Sequence, residues 1–80
     1  MIILSQDKTN IFNFDNITQI FLGYIEENGE CSINCETVKG EIEILGTYSS
    51  SKRAKEIFAE IIAFYTRNED KNKVFRMLNT

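Results

Sequence analysis

EILGTYSSSKRAKEIFAEI, residues 43–61, changes its repeat in the middle. On its first side Ile42, Ile44, Gly46 and Tyr48 fall on one face, the two-residue period of a strand. On its second side Ala54, Ile57, Phe58, Ile61, Ile62 and Tyr65 recur at steps of three and four, the stripe of an amphipathic helix. Three serines mark the switch. The chain is therefore strand-rich before this point and helical after it, over residues 51–66.

Working back toward the start, every segment reads as a strand ended by turn residues. MIILS is a short apolar run closed by QDKTN, and NIFNF alternates with Phe12 and Phe14 on one side. ITQIFLGYIEE runs to Asn28-Gly29, a strong hairpin signal. ECSINCET puts Cys31, Ile33 and Cys35 on one face and ends at Lys39-Gly40. Consecutive strands joined by short turns predict an antiparallel meander over residues 1–48. Working forward, polar residues from Arg67 to Lys73 break the helix. KVFRML, 73–78, suits a last edge strand or another helical turn, with the strand favoured. The expected fold is α+β, a single domain over 1–80: a meander of about five strands, one C-terminal helix packed on one face, and a short final edge strand.

One helix covers only one face of a sheet. Yet the third strand is apolar on both, with Phe21 and Ile25 on one side and Ile20, Leu22 and Tyr24 on the other. Ile3 and Leu45 join that second face. The surplus points to a partner, most simply a second copy of the chain, or else to a bulge that re-aims part of the strand.

Composition excludes much. With 42% hydrophobic and 26% charged residues, the chain is globular rather than disordered. No apolar run approaches the roughly 18–20 residues that span a bilayer, and the start lacks a basic leader segment, so a cytoplasmic protein is expected. Residues 1–50 carry eight acids against two lysines, a net of −6, and residues 51–80 carry seven bases against four acids, a net of +3. The acidic half argues against direct DNA or RNA binding. Histidine is absent, which removes serine–histidine and cysteine–histidine dyads within one chain. Glu41 and Glu43 read as solvated, and no phosphate-loop fingerprint is present. A non-enzymatic protein without cofactor or metal is expected. Cys31 and Cys35 are separated by roughly 13 Å along a strand, too far for a disulfide, and read as buried reduced thiols.

The serine switch is the one candidate site. Ser49, Ser50 or Ser51 serves as N-cap, accepting from the unpaired N–H groups of the first turn. Lys52 and Arg53 then sit at the positive end of the helix dipole, unfavourable by roughly a few tenths of a kcal/mol. Serine hydroxyls, free N–H groups and two cations make a seat for a phosphate or carboxylate. In that reading Lys52 and Arg53 hold phosphate, Ser50 and Ser51 add hydrogen bonds, and Tyr48 stacks a base. In the plain alternative this is only a helix start, with Lys52 bridged to Glu56.

Three motifs carry a resemblance: the S-Q-D-K of residues 5–8 with N-F-D-N-I at 13–17, L-G-T-Y-S-S-S-K-R-A-K-E at 45–56, and KVFRM at 73–77. Together they resemble a widespread group of small proteins from Firmicutes and their phages. In that group a Met-Pro follows the last aromatic segment, where this chain has Met77-Leu78. The resemblance implies a phage or prophage origin and a bacterial host cell. Small phage proteins commonly act against bacterial immunity, by sequestering nucleotide signals in oligomeric pockets or by blocking a nuclease. Two functions are therefore expected: an oligomer that sequesters a small anionic ligand, or an acidic inhibitor of a host defence protein. Basic residues converging on one pocket favour the first. Glu26, Glu27, Glu41 and Glu43 forming one ridge favours the second.

Overall fold

The computed structural model describes residues 1–67 and 73–80. Among them are β1 (Ile2–Leu4), β2 (Ile11–Asn13), a 3-10 turn (Phe14–Asn16), β3 (Ile17–Ile25), β4 (Cys31–Thr37), β5 (Ile42–Tyr48), α1 (Ser51–Thr66) and β6 (Val74–Arg76). The fold is α+β. Strand β6 forms where the sequence favours an edge strand. Of the polar break after the helix, residues 68–72 lie outside the described residues.

The antiparallel meander is β3-β4-β5. Its two turns each place a glycine at positive φ, Gly29 at 88° and Gly40 at 84°, where other residues are strained. Strands β1 and β2 leave the meander and form a second sheet of order β2-β1-β6, with β1 antiparallel to β2 and parallel to β6. The turn between β1 and β2 is built by Asp7, whose carboxylate accepts from the Ser5 hydroxyl (2.6 Å), the Thr9 hydroxyl (2.7 Å) and the Thr9 N–H (3.0 Å). Lys8 takes φ 64° to complete it.

Helix α1 lies across β3, β4 and β5 and buries Ala54, Ile57 and Ile61. Beneath it Cys31, Ile33 and Cys35 point inward from β4, joined by Leu45 and Tyr48 from β5 and Ile3 from β1. The second half of the helix reaches the other sheet through an edge-on contact of Phe64 with Phe75 (5.3 Å between centroids), and Tyr65 stacks on Phe14 (4.8 Å).

Register shifts in β3 and β5 decide which apolar residues face out. In β3 the register runs Ile20↔Cys35, Leu22↔Ile33 and then Ile25↔Cys31, with a shift between Leu22 and Ile25. Ile20 and Leu22 thus share the face of the buried Cys35 and Ile33 and pack against the core. This corrects the placement of Ile20, Leu22 and Tyr24 together on an open second face: the bulge re-aims the strand, and only Tyr24 is exposed. In β5 the register passes from Ile33↔Gly46 to Asn34↔Ile44, so Leu45 is the extra residue. Ile42 and Ile44 consequently point away from Tyr48 rather than with it. Ile3 and Leu45 are core residues, not members of an outer face.

Candidate functional site

At the helix start the N-cap is Ser50, in extended conformation, with its hydroxyl accepting from Arg53 N–H at 3.1 Å. No acid stands in the first turn. The two cations differ. Lys52 is exposed. Arg53 is engaged three ways: Nη1 meets Glu56 Oε1 at 3.2 Å, and Nε and Nη2 both donate to the Thr80 backbone oxygen at 3.1 and 2.9 Å. Glu56 therefore bridges to Arg53 at i,i+3, where the sequence suggests Lys52 at i,i+4.

Tyr48 faces the other way. Its ring is only 2% exposed, in the core, and its hydroxyl donates to the Leu78 carbonyl at 2.8 Å. Burial pushes its pKa up to about 12, opposed in part by Arg53. A base has no ring face to stack on here, which removes Tyr48 from the expected ligand set. A hollow of about 320 Å³ does adjoin this corner and touches Tyr48, but its other walls are Asn28, Glu30, Ser49, Asn79 and Thr80 rather than Lys52 or Arg53. With a glutamate as its charged wall, it is not an anion seat. Of the five expected residues, Ser50, Ser51, Lys52 and Arg53 share the helix start, and Tyr48 lies beneath.

What holds this corner is Gln6, which sequence reasoning missed. Its side chain behaves as an extra strand residue on the edge of β5, accepting from Thr47 N–H at 2.8 Å and donating to Thr47 O at 3.0 Å. The same amide donates to the carbonyls of Leu78 (3.2 Å) and Asn79 (2.9 Å). A Cβ on Gly46 would stand 3.1 Å from both Gln6 Cβ and the Tyr48 hydroxyl, so a larger residue there would push on both side chains. The S-Q-D-K and L-G-x-Y motifs are thus two halves of one structural lock. The signal for Gln6 is its place in the first of them.

The second candidate is the outer face of β3-β4-β5. By register Phe21, Asn34 and Ile44 lie side by side, and Ile42 follows beside Glu36. Ile42 is 60% exposed, Ile44 59% and Tyr24 95%. A concavity of about 520 Å³ runs over Phe21, Gly23, Asn34 and Ile42, with Tyr24 and Glu26 at its edge. Oδ1 of Asn34 is buried there without a hydrogen-bond partner among the described residues. Acids mark both ends of the sheet: Glu26, Glu27 and Glu30 at the β3–β4 turn, Glu36 and Glu41 at the β4–β5 turn. Glu43 instead sits opposite Cys35, whose thiol pKa is raised, first by burial and then by that carboxylate. The four glutamates Glu26, Glu27, Glu41 and Glu43 thus lie at opposite ends of the sheet, not in one ridge.

No His, Cys, Asp and Glu cluster with metal-holding geometry occurs among the described residues, and no helix among them is long and apolar enough to cross a membrane. No family model, curated protein or solved structure matches this chain.

Proposed function

We propose that this chain is a non-enzymatic protein-interaction module, which docks the outer face of β3-β4-β5 onto a partner protein with an apolar centre and a basic rim. One observation carries this: Phe21, Tyr24, Ile42 and Ile44 lie on one sheet face that the helix leaves uncovered, with glutamates at both ends. Exposed apolar area of this kind marks an interaction surface. The acidic ends select the partner's charge and steer its approach. Taken with the resemblance to phage proteins, the partner is a host defence protein that itself handles nucleic acid, such as a nuclease. A photo-crosslinking residue in place of Tyr24 should then capture a basic host protein, and Ile44→Asp should abolish capture. The same probe at Glu60, on the helix, should capture nothing. Equal yields from Tyr24 and Glu60 would sink the reading.

Ligand sequestration at the helix start is the second reading. It is favoured by the exposed Lys52 and the absence of acids in the first turn. An anion there must displace the Thr80 oxygen from Arg53. A cyclic nucleotide that raises the melting temperature of the parent protein, and of Lys52→Ala much less, would select this reading over the first.

A further inference from the structure

Strand β3 is the free edge of its sheet: the order is β3-β4-β5, so one side of its backbone has no strand partner among the described residues. Natural edge strands are blunted by lysine, proline or inward charges, because an open edge templates pairing with another chain. Across its nine residues, ITQIFLGYI, β3 carries no charge and no proline. The opposite edge, β5, is occupied at Leu45 and Thr47 by Gln6.

Four aliphatic residues of this edge are placed symmetrically about Phe21. Ile20 and Leu22 stand one residue away on either side, and Ile17 and Ile25 four residues away. One register shift falls on either side of Phe21, between Ile17 and Gln19 and between Leu22 and Ile25. We infer that β3 pairs antiparallel with β3 of a second copy, with Phe21 on the two-fold axis, to form a continuous six-stranded sheet. A two-fold interface requires a patch complementary to itself, and this strand is one. In this register Leu22 of the second copy stands beside Ile20, and Ile25 of the second copy beside Ile17.

The helix side of the edge supports the same arrangement. An apolar groove of about 250 Å³ runs between β3 and α1, lined by Phe14, Ile17, Ile20, Phe58, Ile62 and Tyr65 among others. The residues that the second copy brings beside Ile17 and Ile20 are its Ile25 and Leu22, which extend over this groove. Ile25, Ile62 and Tyr65, each more than half exposed in one copy, become covered. On the other side of the sheet, the two concavities over Phe21 and Gly23 merge, so the docking face is complete only in the dimer. Charge opposes pairing at one place: Asp15 of one copy approaches Glu27 of the other, an exposed like-charge pair that salt screens.

Sedimentation velocity from low to high micromolar concentration tests the dimer, and variants with one added exposed cysteine, beside the buried Cys31 and Cys35, test the register. Directly opposed residues of antiparallel strands bring their Cβ atoms close to disulfide distance. Phe21→Cys should therefore crosslink to its copy under mild oxidation. Ile44→Cys, on the same face but away from the edge, should not. Phe21→Lys should give a folded monomer, Ile44→Lys should remain dimeric, and added salt should strengthen the parent dimer. A parent protein monomeric throughout, or an Ile44→Cys variant that crosslinks more readily than Phe21→Cys, overturns the inference. Capture of a partner through Tyr24 by a protein that stays monomeric would overturn this pairing while leaving the protein-interaction reading intact.

Discussion

Gln6 shows how much one amide can hold. It satisfies a donor and an acceptor of Thr47 and two carbonyls from the other end of the chain. At about 1 kcal/mol net for each hydrogen bond, with partial re-solvation after truncation, Gln6→Ala should cost about 2 kcal/mol in denaturant unfolding. Gln6→Glu keeps the volume but turns an anionic oxygen toward three carbonyls, so at neutral pH it should be worse than alanine. Acidification that protonates the glutamate should narrow the gap between the two variants.

Asp7, beside it, gives the acid limb of stability. Three hydrogen bonds from Ser5 and Thr9 lower its pKa from 3.8 to about 2. A carboxylate whose folded pKa is depressed adds stability that is fully present above the unfolded value and lost as pH falls through the folded one. The difference in melting temperature between the parent and Asp7→Asn should thus be constant above about pH 4. It should shrink between about pH 4 and pH 2. A difference that stays constant through that window would show that Asp7 is not held as an anion.

At the level of elements, β3 and β5 separate what the sequence made legible from what it hid. The helix was readable because Ala54, Ile57 and Ile61 repeat its period without interruption, and Ser50 is chemically suited to cap it. The turns at Asn28-Gly29 and Lys39-Gly40 were readable because positive φ selects glycine. The facing of Leu22 and Ile44 was not. A bulge adds one residue to a period of two, so every side chain beyond it changes face, and no local residue type announces it. The β1–β6 pairing was hidden for another reason: it joins the two ends of the chain, and hydropathy carries no information about partners. At the helix start the residues of a site were legible but their availability was not, because Arg53 is engaged by Thr80 and Tyr48 by Leu78.

The corrected facing has a direct consequence for mutants. Leu22→Glu places a charge against the core beside Ile33 and should lower the melting temperature sharply, since even partial burial of an unpaired carboxylate is costly. Ile44→Glu, on the open face, should change the melting temperature little while removing partner capture. Circular dichroism melts of the two variants decide it. A folded Leu22→Glu with parent-like stability would contradict the register of β3 with β4.

For the whole molecule, residues 77–80 act as a strap. Met77 N–H donates to Leu4 O at 3.0 Å, and Leu78, Asn79 and Thr80 each receive a side chain from elsewhere through their backbone oxygens. Removing these residues should release Tyr48 and Gln6 together, and the core would lose the Met77 side chain. The truncated chain should melt at lower temperature, by an amount larger than Gln6→Ala alone. Tyr48 should also titrate nearer to the ordinary tyrosine value of 10 than to about 12, as followed by ultraviolet absorbance. An unchanged Tyr48 titration would mean that the meander and helix, rather than the strap, keep it dry.

The parallel pairing of β1 with β6 also orders events in time. The meander and the helix that covers it are contiguous in sequence, so their contacts close short loops and can form while later residues are still being added. Strand β1 has no such opportunity on its β6 side. Closing a loop that encloses β2 to α1 is slow to nucleate, so β1 is among the last strands to be fully paired. Until Phe75 arrives, Ile3 and Phe64 lack a neighbour, and a nascent chain presents them to chaperones or to other nascent chains. Phe75→Ala should accordingly speed unfolding several-fold and leave the folding rate nearly unchanged, the signature of a contact made after the transition state.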